Sequence, residues 1–139
     1  MQNPPPVQTA GPAKSSTGLD ENVAALLSYI LHWISGLVFF LIEKDSRLVR
    51  FHAMQSILLG AVAFIGGFAL WFVWVIVTLL LGQIADFLGT LVGLVLGLVI
   101  GVFYIAIVVG WVLCLIKAYQ GQYFKLPVLG NFAEKFSTK

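Results

Sequence analysis

Three long stretches of the chain consist almost entirely of apolar residues and contain no Asp, Glu, Lys or Arg. They lie near residues 23–42, 54–82 and 87–116. About 20 helical residues cross a hydrocarbon core, and none of the stretches alternates polar and apolar positions as a barrel strand does. The pattern therefore predicts an all-α integral membrane protein with three transmembrane helices.

The second and third stretches are longer than one crossing needs, yet neither has room for two helices and a turn. Each is therefore predicted to form one long helix that tilts or projects beyond the hydrocarbon. The short interruption between them, residues 83–86, predicts a tight hairpin. A broken or re-entrant segment around Gly66 and Gly67 is the alternative interpretation of the second stretch.

The two ends of the chain differ from its middle in composition. Residues 1–18 are rich in Pro and Ser, which predicts a disordered tail, and residues 19–139 are predicted to form a single membrane domain. Near the C-terminus, Leu129, Phe132 and Phe136 recur at helical spacing. This spacing predicts a short C-terminal amphipathic helix on the membrane surface, and its apolar face would also suit a protein partner.

The overall composition agrees with a membrane protein. The chain is 60% hydrophobic and only 10% charged, whereas a soluble domain has about 25% charged residues. No basic stripe with interleaved aromatic residues is present, so nucleic-acid binding is not predicted. The first residues lack the basic and apolar regions of a signal peptide, so the first apolar stretch is expected to remain in the mature protein.

The basic residues predict an orientation. With three spans, the loop after the first span and the C-terminal tail share one side, and they hold seven of the eight basic residues: Lys44, Arg47, Arg50, Lys117, Lys125, Lys135 and Lys139. Only Lys14 falls on the opposite side. Because basic loops stay in the cytoplasm, the prediction is a multi-pass protein of the cytoplasmic membrane with its N-terminus outside and its C-terminus inside.

Two sets of small or polar residues predict helix packing. Small residues let helices approach closely in lipid, where no hydrophobic force drives them together. In the third span they form a glycine zipper, at Gly89, Gly93, Gly97 and Gly101. In the first span the set consists of the small or polar residues Ser28, His32, Ser35 and Gly36. The zipper could face another helix of the same chain or a second copy.

His32 is the one ionisable side chain deep within a predicted span, and such groups often have a function. The simpler hypothesis is that neutral His32 forms a hydrogen bond with a neighbouring helix. The chain has no HExxH or GxSxG motif, no paired intramembrane aspartates and no phosphate-binding Gly-rich loop. The sequence therefore predicts no enzyme, no catalytic residue, no metal site and no cofactor.

Four segments resemble a family of small prokaryotic membrane proteins of unknown function: residues 18–29 (GLDENVAALLSY), 40–44 (FLIEK), 49–56 (VRFHAMQS) and 125–131 (KLPVLGN). That family is similar to the twenty-kilodalton subunit of the chloroplast inner-envelope import translocon. The resemblance implies a role related to protein translocation. It also marks the candidate interaction residues, which are Glu43, Arg50, Phe51, His52, Gln55 and Ser56.

The sequence thus predicts a non-enzymatic membrane protein that acts by helix packing and partner binding, as an accessory or translocation-related component. Besides the lipid bilayer, its expected partners are a second copy of the chain or a membrane complex. The alternative is a channel or transporter subunit. Three helices enclose an aqueous path poorly, so that alternative requires an oligomer.

Overall fold

The structure is a computed structural model that describes residues 13–138. These residues form helices and no β-strand; the predicted disordered tail falls mostly on residues 1–12, outside the described range. The α-helices are α1 (Glu21–Leu27), α2 (Trp33–Ile42), α3 (Arg47–Ala61), α4 (Gly67–Gly82), α5 (Asp86–Tyr119) and α6 (Leu129–Ser137). A π-helical turn, Val62–Gly66, joins α3 to α4.

The second and third apolar stretches form two long helices, as predicted. Arg47–Gly82 is continuous over 36 residues and α5 over 34, and both are long and apolar enough to cross a membrane. They form an antiparallel pair through the short connection at 83–85, with α4 packed along α5. The alternative of a break near Gly66 was wrong, because the π turn widens the helix there without interrupting it.

The first apolar stretch does not form the predicted continuous span. Helix α1 ends at Leu27 and α2 begins at Trp33, and between them His32 adopts a positive φ of 56° that reverses the chain. The stretch returns to its starting point, since the Ser16 backbone N–H donates to the Glu43 carboxylate at 3.0 Å. Residues 21–42 therefore form a re-entrant helical hairpin.

Neither helix of the hairpin is long enough to cross a bilayer. The ten residues of α2 extend about 15 Å, roughly half of a ~30 Å hydrocarbon core. The start of the described chain consequently lies beside the loop at 43–46. The predicted three-span topology put the N-terminal side and this loop on opposite faces, whereas the structure brings them together. The N-out, C-in orientation in the membrane is not tested by this contact and stays a prediction.

Basic side chains gather at one end of the molecule, which we call the basic end. One hydrogen bond, from the Asn22 side-chain amide to the Tyr119 carbonyl oxygen, joins the start of α1 to the end of α5 there, and α6 packs against α3. The basic residues of the described chain at this end are Lys14, Lys44, Arg47, Arg50, Lys117, Lys125 and Lys135. The connection at 83–85 lies at the other end and carries no basic residue.

Helix α6 occupies the position of the predicted C-terminal amphipathic helix. It buries its small residues Gly130, Ala133 and Ser137 and leaves Phe132 and Phe136 exposed. A side chain at Gly130 would meet the backbone of the preceding segment, since a Cβ there would lie 2.5 Å from the Cα of Lys125. The small residues thus hold α6 against the protein and leave its aromatic side chains exposed.

A candidate site beneath the basic end

The turn at the tip of the hairpin is satisfied by nearby serines. The Ser35 hydroxyl donates to the carbonyl oxygen of Ser28 at 3.0 Å and accepts from the Leu31 backbone N–H at 3.1 Å. Unpaired backbone groups are costly in hydrocarbon, where no water replaces the missing partner. The buried serine explains how a non-helical turn can exist at this depth.

Neighbouring helices fix the same turn from two sides. Trp111 of α5 donates its indole N–H to the Tyr29 carbonyl at 3.0 Å, and Ser56 of α3 donates to the His32 carbonyl at 2.9 Å. Gly36 lets α2 approach α3 closely, since a Cβ on it would lie 2.8 Å from the Ala53 carbonyl oxygen. The shape of the hairpin therefore depends on partners far away in the sequence.

A buried polar cluster lies between the hairpin and the two long helices. The Tyr29 hydroxyl lies 3.1 Å from His52 Nδ1, and His52 Nε2 lies 3.0 Å from the Gln122 carbonyl oxygen. A carbonyl can only accept a hydrogen bond, so Nε2 donates to it, and in neutral His52 the other nitrogen, Nδ1, accepts from the tyrosine. His52 therefore bridges the turn after α1 to the segment that follows α5.

Gln55 is the most connected side chain of this cluster. Its Nε2 donates to the Phe124 carbonyl at 2.9 Å and to Cys114 Sγ at 3.1 Å. Its Oε1 accepts from the Leu126 backbone N–H at 3.4 Å. Because Gln55 is fully buried, it holds the segment after α5 against α3 and provides partners for backbone groups that water does not reach.

Glu43 forms a second polar cluster, in the loop between α2 and α3. One oxygen of its buried carboxylate accepts from the Ser16 hydroxyl at 2.6 Å, the Ser46 N–H at 2.8 Å and the Asp45 N–H at 3.0 Å. Burial raises the pKa of Glu43, but these hydrogen bonds together outweigh burial and leave the pKa below its ordinary value. Ionised Glu43 thus ties the start of the described chain to the start of α3.

This geometry predicts a pH dependence. A depressed pKa contributes stability above the ordinary carboxyl pKa of about 4.3, and this contribution is lost as the pH falls through the lower pKa of the folded protein. We expect Glu43→Gln to lower the free energy of unfolding at pH 7 by about 1–2 kcal/mol. The variant should also lose less of this free energy as the pH falls, so the acid limb of its curve of stability against pH should be flatter. Denaturation by SDS between pH 3 and pH 7 measures both effects, with exposed Asp45→Asn in the same loop as the control. Equal acid limbs for Glu43→Gln and the unmodified chain would contradict the prediction.

The candidate interaction residues lie mostly in the interior. Glu43, Phe51, His52, Gln55 and Ser56 are fully buried and contact other parts of the same chain. Arg50 is half-buried; its guanidinium donates to the Glu43 carbonyl at 2.9 Å and lies 4.8 Å from the centre of the Phe40 ring. Of these six candidate residues, only Arg50 is open to a partner in this conformation.

The predicted packing face of the first stretch also lies inside. Ser28, Ser35 and Gly36 are buried in the hairpin. His32 stands at the tip, with its ring parallel to Trp111 at a centroid separation of 6.4 Å. Within the described residues, its buried Nδ1 has no hydrogen-bond partner.

The glycine zipper is divided into two halves. A Cβ on Gly89 would lie 2.9 Å from the Gly82 backbone nitrogen, and one on Gly93 would lie 2.9 Å from the methyl carbon of Thr78. These two glycines therefore serve packing within the chain. A Cβ on Gly97 would meet only Trp74 at 4.0 Å, and Gly101 has no atom of the described chain within that distance.

Comparison with known proteins places the chain among its relatives. Residues 19–133, which include the hairpin, both long helices and most of α6, match the MamF/MmsF model, described as the magnetosome magnetite crystal formation protein family. The chain belongs to the MamF/MmsF family. No solved structure matches it.

The curated relatives of this MamF/MmsF chain are archaeal. It is 39% identical to the UPF0132 membrane protein MJ1443 of Methanocaldococcus jannaschii over 89% of this chain and 94% of that protein. A second protein of that organism, MJ1527, is 38% identical over 86% and 71% of the two chains. A UPF0132 membrane protein of Archaeoglobus fulgidus is 38% identical over 84% and 95%.

These matches confirm that the chain belongs to a family of small prokaryotic membrane proteins. The names of the three relatives describe a membrane protein and mention no process, and none mentions protein import. Kinship with the chloroplast translocon therefore stays a prediction.

Several members of the two polar clusters were missed in the sequence of this MamF/MmsF protein. Tyr29 and Trp111 resemble ordinary membrane aromatics, and Cys114 sits in an apolar run. Ser16 falls in the stretch predicted to be disordered. A weak signal existed for Tyr29, which directly follows a serine of the predicted packing face.

Within residues 13–138, no three His, Cys, Asp or Glu side chains are grouped so that they could hold a metal ion.

Proposed function

We propose that this MamF/MmsF protein is a non-enzymatic, multi-pass protein of the cytoplasmic membrane that acts by binding a partner at its basic end. It crosses the bilayer twice, and the re-entrant hairpin fills one half of the membrane. Both the start of the described chain and its C-terminal helix lie in the cytoplasm. The proposal keeps the predicted class of function and replaces the predicted three-span topology.

The observation that carries this proposal is the distribution of charge. Every Lys and Arg of the described chain lies at one end, while the connection at 83–85 carries none. Lysine and arginine favour the cytoplasmic side of a membrane. The re-entrant hairpin strengthens the asymmetry, because it brings Lys14 to the same end as the other basic residues.

The use of the interior polar groups supports a non-enzymatic role. Both ring nitrogens of His52 and both polar atoms of the Gln55 amide have partners within the chain. Catalytic acids, bases and nucleophiles have to reach a substrate. Side chains committed to internal hydrogen bonds are typical of residues that stabilise a fold.

Site-specific crosslinking in native membranes tests the proposal. A photocrosslinker at Lys44 samples the basic end, and the same group at Gln83 samples the opposite end. We expect protein partners to be captured from Lys44 and not from Gln83. Capture of translocation components would support the translocation-related role that the resemblance implies. If neither position captures anything but this chain, the accessory role is wrong.

A channel or transporter subunit is the second candidate, and the uncovered half of the glycine zipper favours it. Gly97 and Gly101 leave a backbone surface free for a helix of a second copy. We expect Gly101→Leu to reduce crosslinked oligomers severalfold without unfolding the chain if copies associate there. Gly89→Leu is the matched comparison, since it should destabilise the packing of α4 on α5 within one chain. Unchanged oligomers in Gly101→Leu would remove this candidate.

The family description attaches magnetite crystal formation to the family as a whole. For this chain we propose no direct contact with mineral. The contacts described above support a scaffold in the membrane, and a scaffold could serve that process or another one through the partner it binds.

A further inference from the structure

A groove opens at the basic end, between the start of α3 and the end of α6. Its volume is about 470 Å³, within the range of about 300–1,000 Å³ that is typical of small-molecule sites. The residues that line it are Lys44, Asp45, Arg47, Arg50, Ser137 and Thr138. The groove borders the Glu43 cluster, to which the Asp45 backbone N–H belongs.

The groove carries a net positive charge. Three of its side chains are basic and one is acidic. The salt bridges among residues 13–138 are Lys14–Asp20 and Lys125–Glu134, so none of the three basic groups of the groove has a carboxylate within 4.0 Å in the described chain. Cations gathered without a counter-ion attract an anion.

The helix ends near the groove do not reverse its preference for an anion. The groove lies at the N-terminus of α3, where the helix dipole favours negative charge. The C-terminus of α6 would have the opposite effect. Its carbonyls are partly satisfied, because Ser137 and Thr138 donate their hydroxyls to the carbonyls of Glu134 and Lys135 at 2.8 and 3.1 Å.

The surroundings of the groove distinguish a lipid from a soluble anion. Arg50 lies over the ring of Phe40, on the helix whose last residues, Leu41 and Ile42, are 67% and 47% exposed. On the other side, Phe136 of α6 is 44% exposed. Apolar surface beside a cationic groove suits a ligand with a phosphate head and hydrocarbon chains, and basic pockets on the cytoplasmic side bind such headgroups.

We propose that this groove binds the phosphate-bearing headgroup of an anionic phospholipid from the leaflet at the basic end. Lys44 and Arg47 contact the phosphate, and Arg50 holds it at the boundary of the apolar layer. The three positive charges suit a headgroup with two phosphates, as in cardiolipin. This inference rests on the proposed function only in that the basic end lies at a membrane surface.

Native mass spectrometry of the full chain in neutral detergent tests the site with cardiolipin and phosphatidylcholine as probes. We expect cardiolipin to bind at least about tenfold more tightly than phosphatidylcholine. Lys44→Gln and Arg47→Gln should each weaken cardiolipin binding about fivefold. Neither side chain forms a hydrogen bond or salt bridge with another described residue, so both variants should fold normally.

Lys117→Gln is the matched control. It removes the same charge from the same end, but the Lys117 ammonium contacts only the neutral side chains of Gln120 and Gln122 and lies outside the groove, so the variant should bind cardiolipin with unchanged affinity. An equal loss in Lys117→Gln would show unspecific attraction to the surface and overturn the site. Equal affinity for both lipids, or displacement of cardiolipin by inorganic phosphate at matched phosphate concentration, would also overturn it. Because the measurement involves no partner and no membrane orientation, its failure is separable from failure of the proposed function.

Discussion

Replacing Gly36 by leucine is expected to lower the free energy of unfolding by about 3 kcal/mol. A Cβ at this position would lie 2.8 Å from the Ala53 carbonyl oxygen and 2.9 Å from the Ser56 Cβ. Backbone atoms of a packed helix cannot move aside as the end of a flexible side chain can. The variant should therefore push α2 away from α3 and break the bond from Ser56 to the His32 carbonyl, which fixes the tip of the hairpin.

Titration with SDS in mixed micelles measures this loss, and Gly101→Leu is the matched control. Gly101 lies on a helix surface, and a Cβ on it would have no atom of the described chain within 4 Å, so leucine there should be tolerated. A Gly36→Leu variant as stable as Gly101→Leu would mean that α2 does not pack on α3 as the structure has it.

Replacing Gln55 by leucine is expected to lower the free energy of unfolding by a similar amount, about 3 kcal/mol. Leucine keeps the volume of the side chain but leaves the Phe124 carbonyl and the Leu126 N–H without their partner. Each buried polar group left unpaired costs about 1–3 kcal/mol. The segment between α5 and α6 should loosen, because Gln55 holds it at both of these positions.

Protease sensitivity at residues 120–128, together with SDS titration, detects this change. Gln83→Leu is the control, since Gln83 is exposed at the opposite end and the same substitution there removes no buried partner. If Gln55→Leu kept full resistance and stability, the polar cluster would contribute little to the fold.

The two long helices and the short connection between them at 83–85 could be predicted from the sequence, because lipid exposure leaves a direct signature in composition. Residues 54–82 and 87–116 carry no formal charge, and the structure leaves most of their large apolar side chains exposed. Their excess length was also visible. The second predicted stretch lies inside a helix that begins earlier, at Arg47.

The re-entrant hairpin could not be predicted from hydropathy, because its length equals that of one ordinary span. The turn at 28–32 contains neither Pro nor Gly, so the usual signals of a helix break are absent. What reverses the chain is tertiary: Ser56 and Trp111 supply hydrogen bonds from other helices. The small and polar face of the first stretch is visible in the sequence, but its spacing indicates helix packing and gives no sign of a turn.

The partners within the polar clusters were unpredictable for a related reason. The sequence placed His52 and Gln55 on one helix face, but their acceptors at Gln122 and Phe124 are backbone carbonyls. A backbone group has no residue-specific signature. The string from Arg50 to Ser56 therefore indicated an important surface without indicating that this surface faces inward.

Cysteine labelling in sealed, oriented vesicles tests most directly whether residues 21–42 return to the side from which they start. Single cysteines at Thr17, Lys44 and Gln83, in a Cys114→Ala background, are treated with a membrane-impermeant maleimide. The re-entrant hairpin predicts that positions 17 and 44 react from the same side and position 83 from the other. Reaction of positions 17 and 44 from opposite sides would mean that the first stretch crosses the membrane, and would contradict the topology described above.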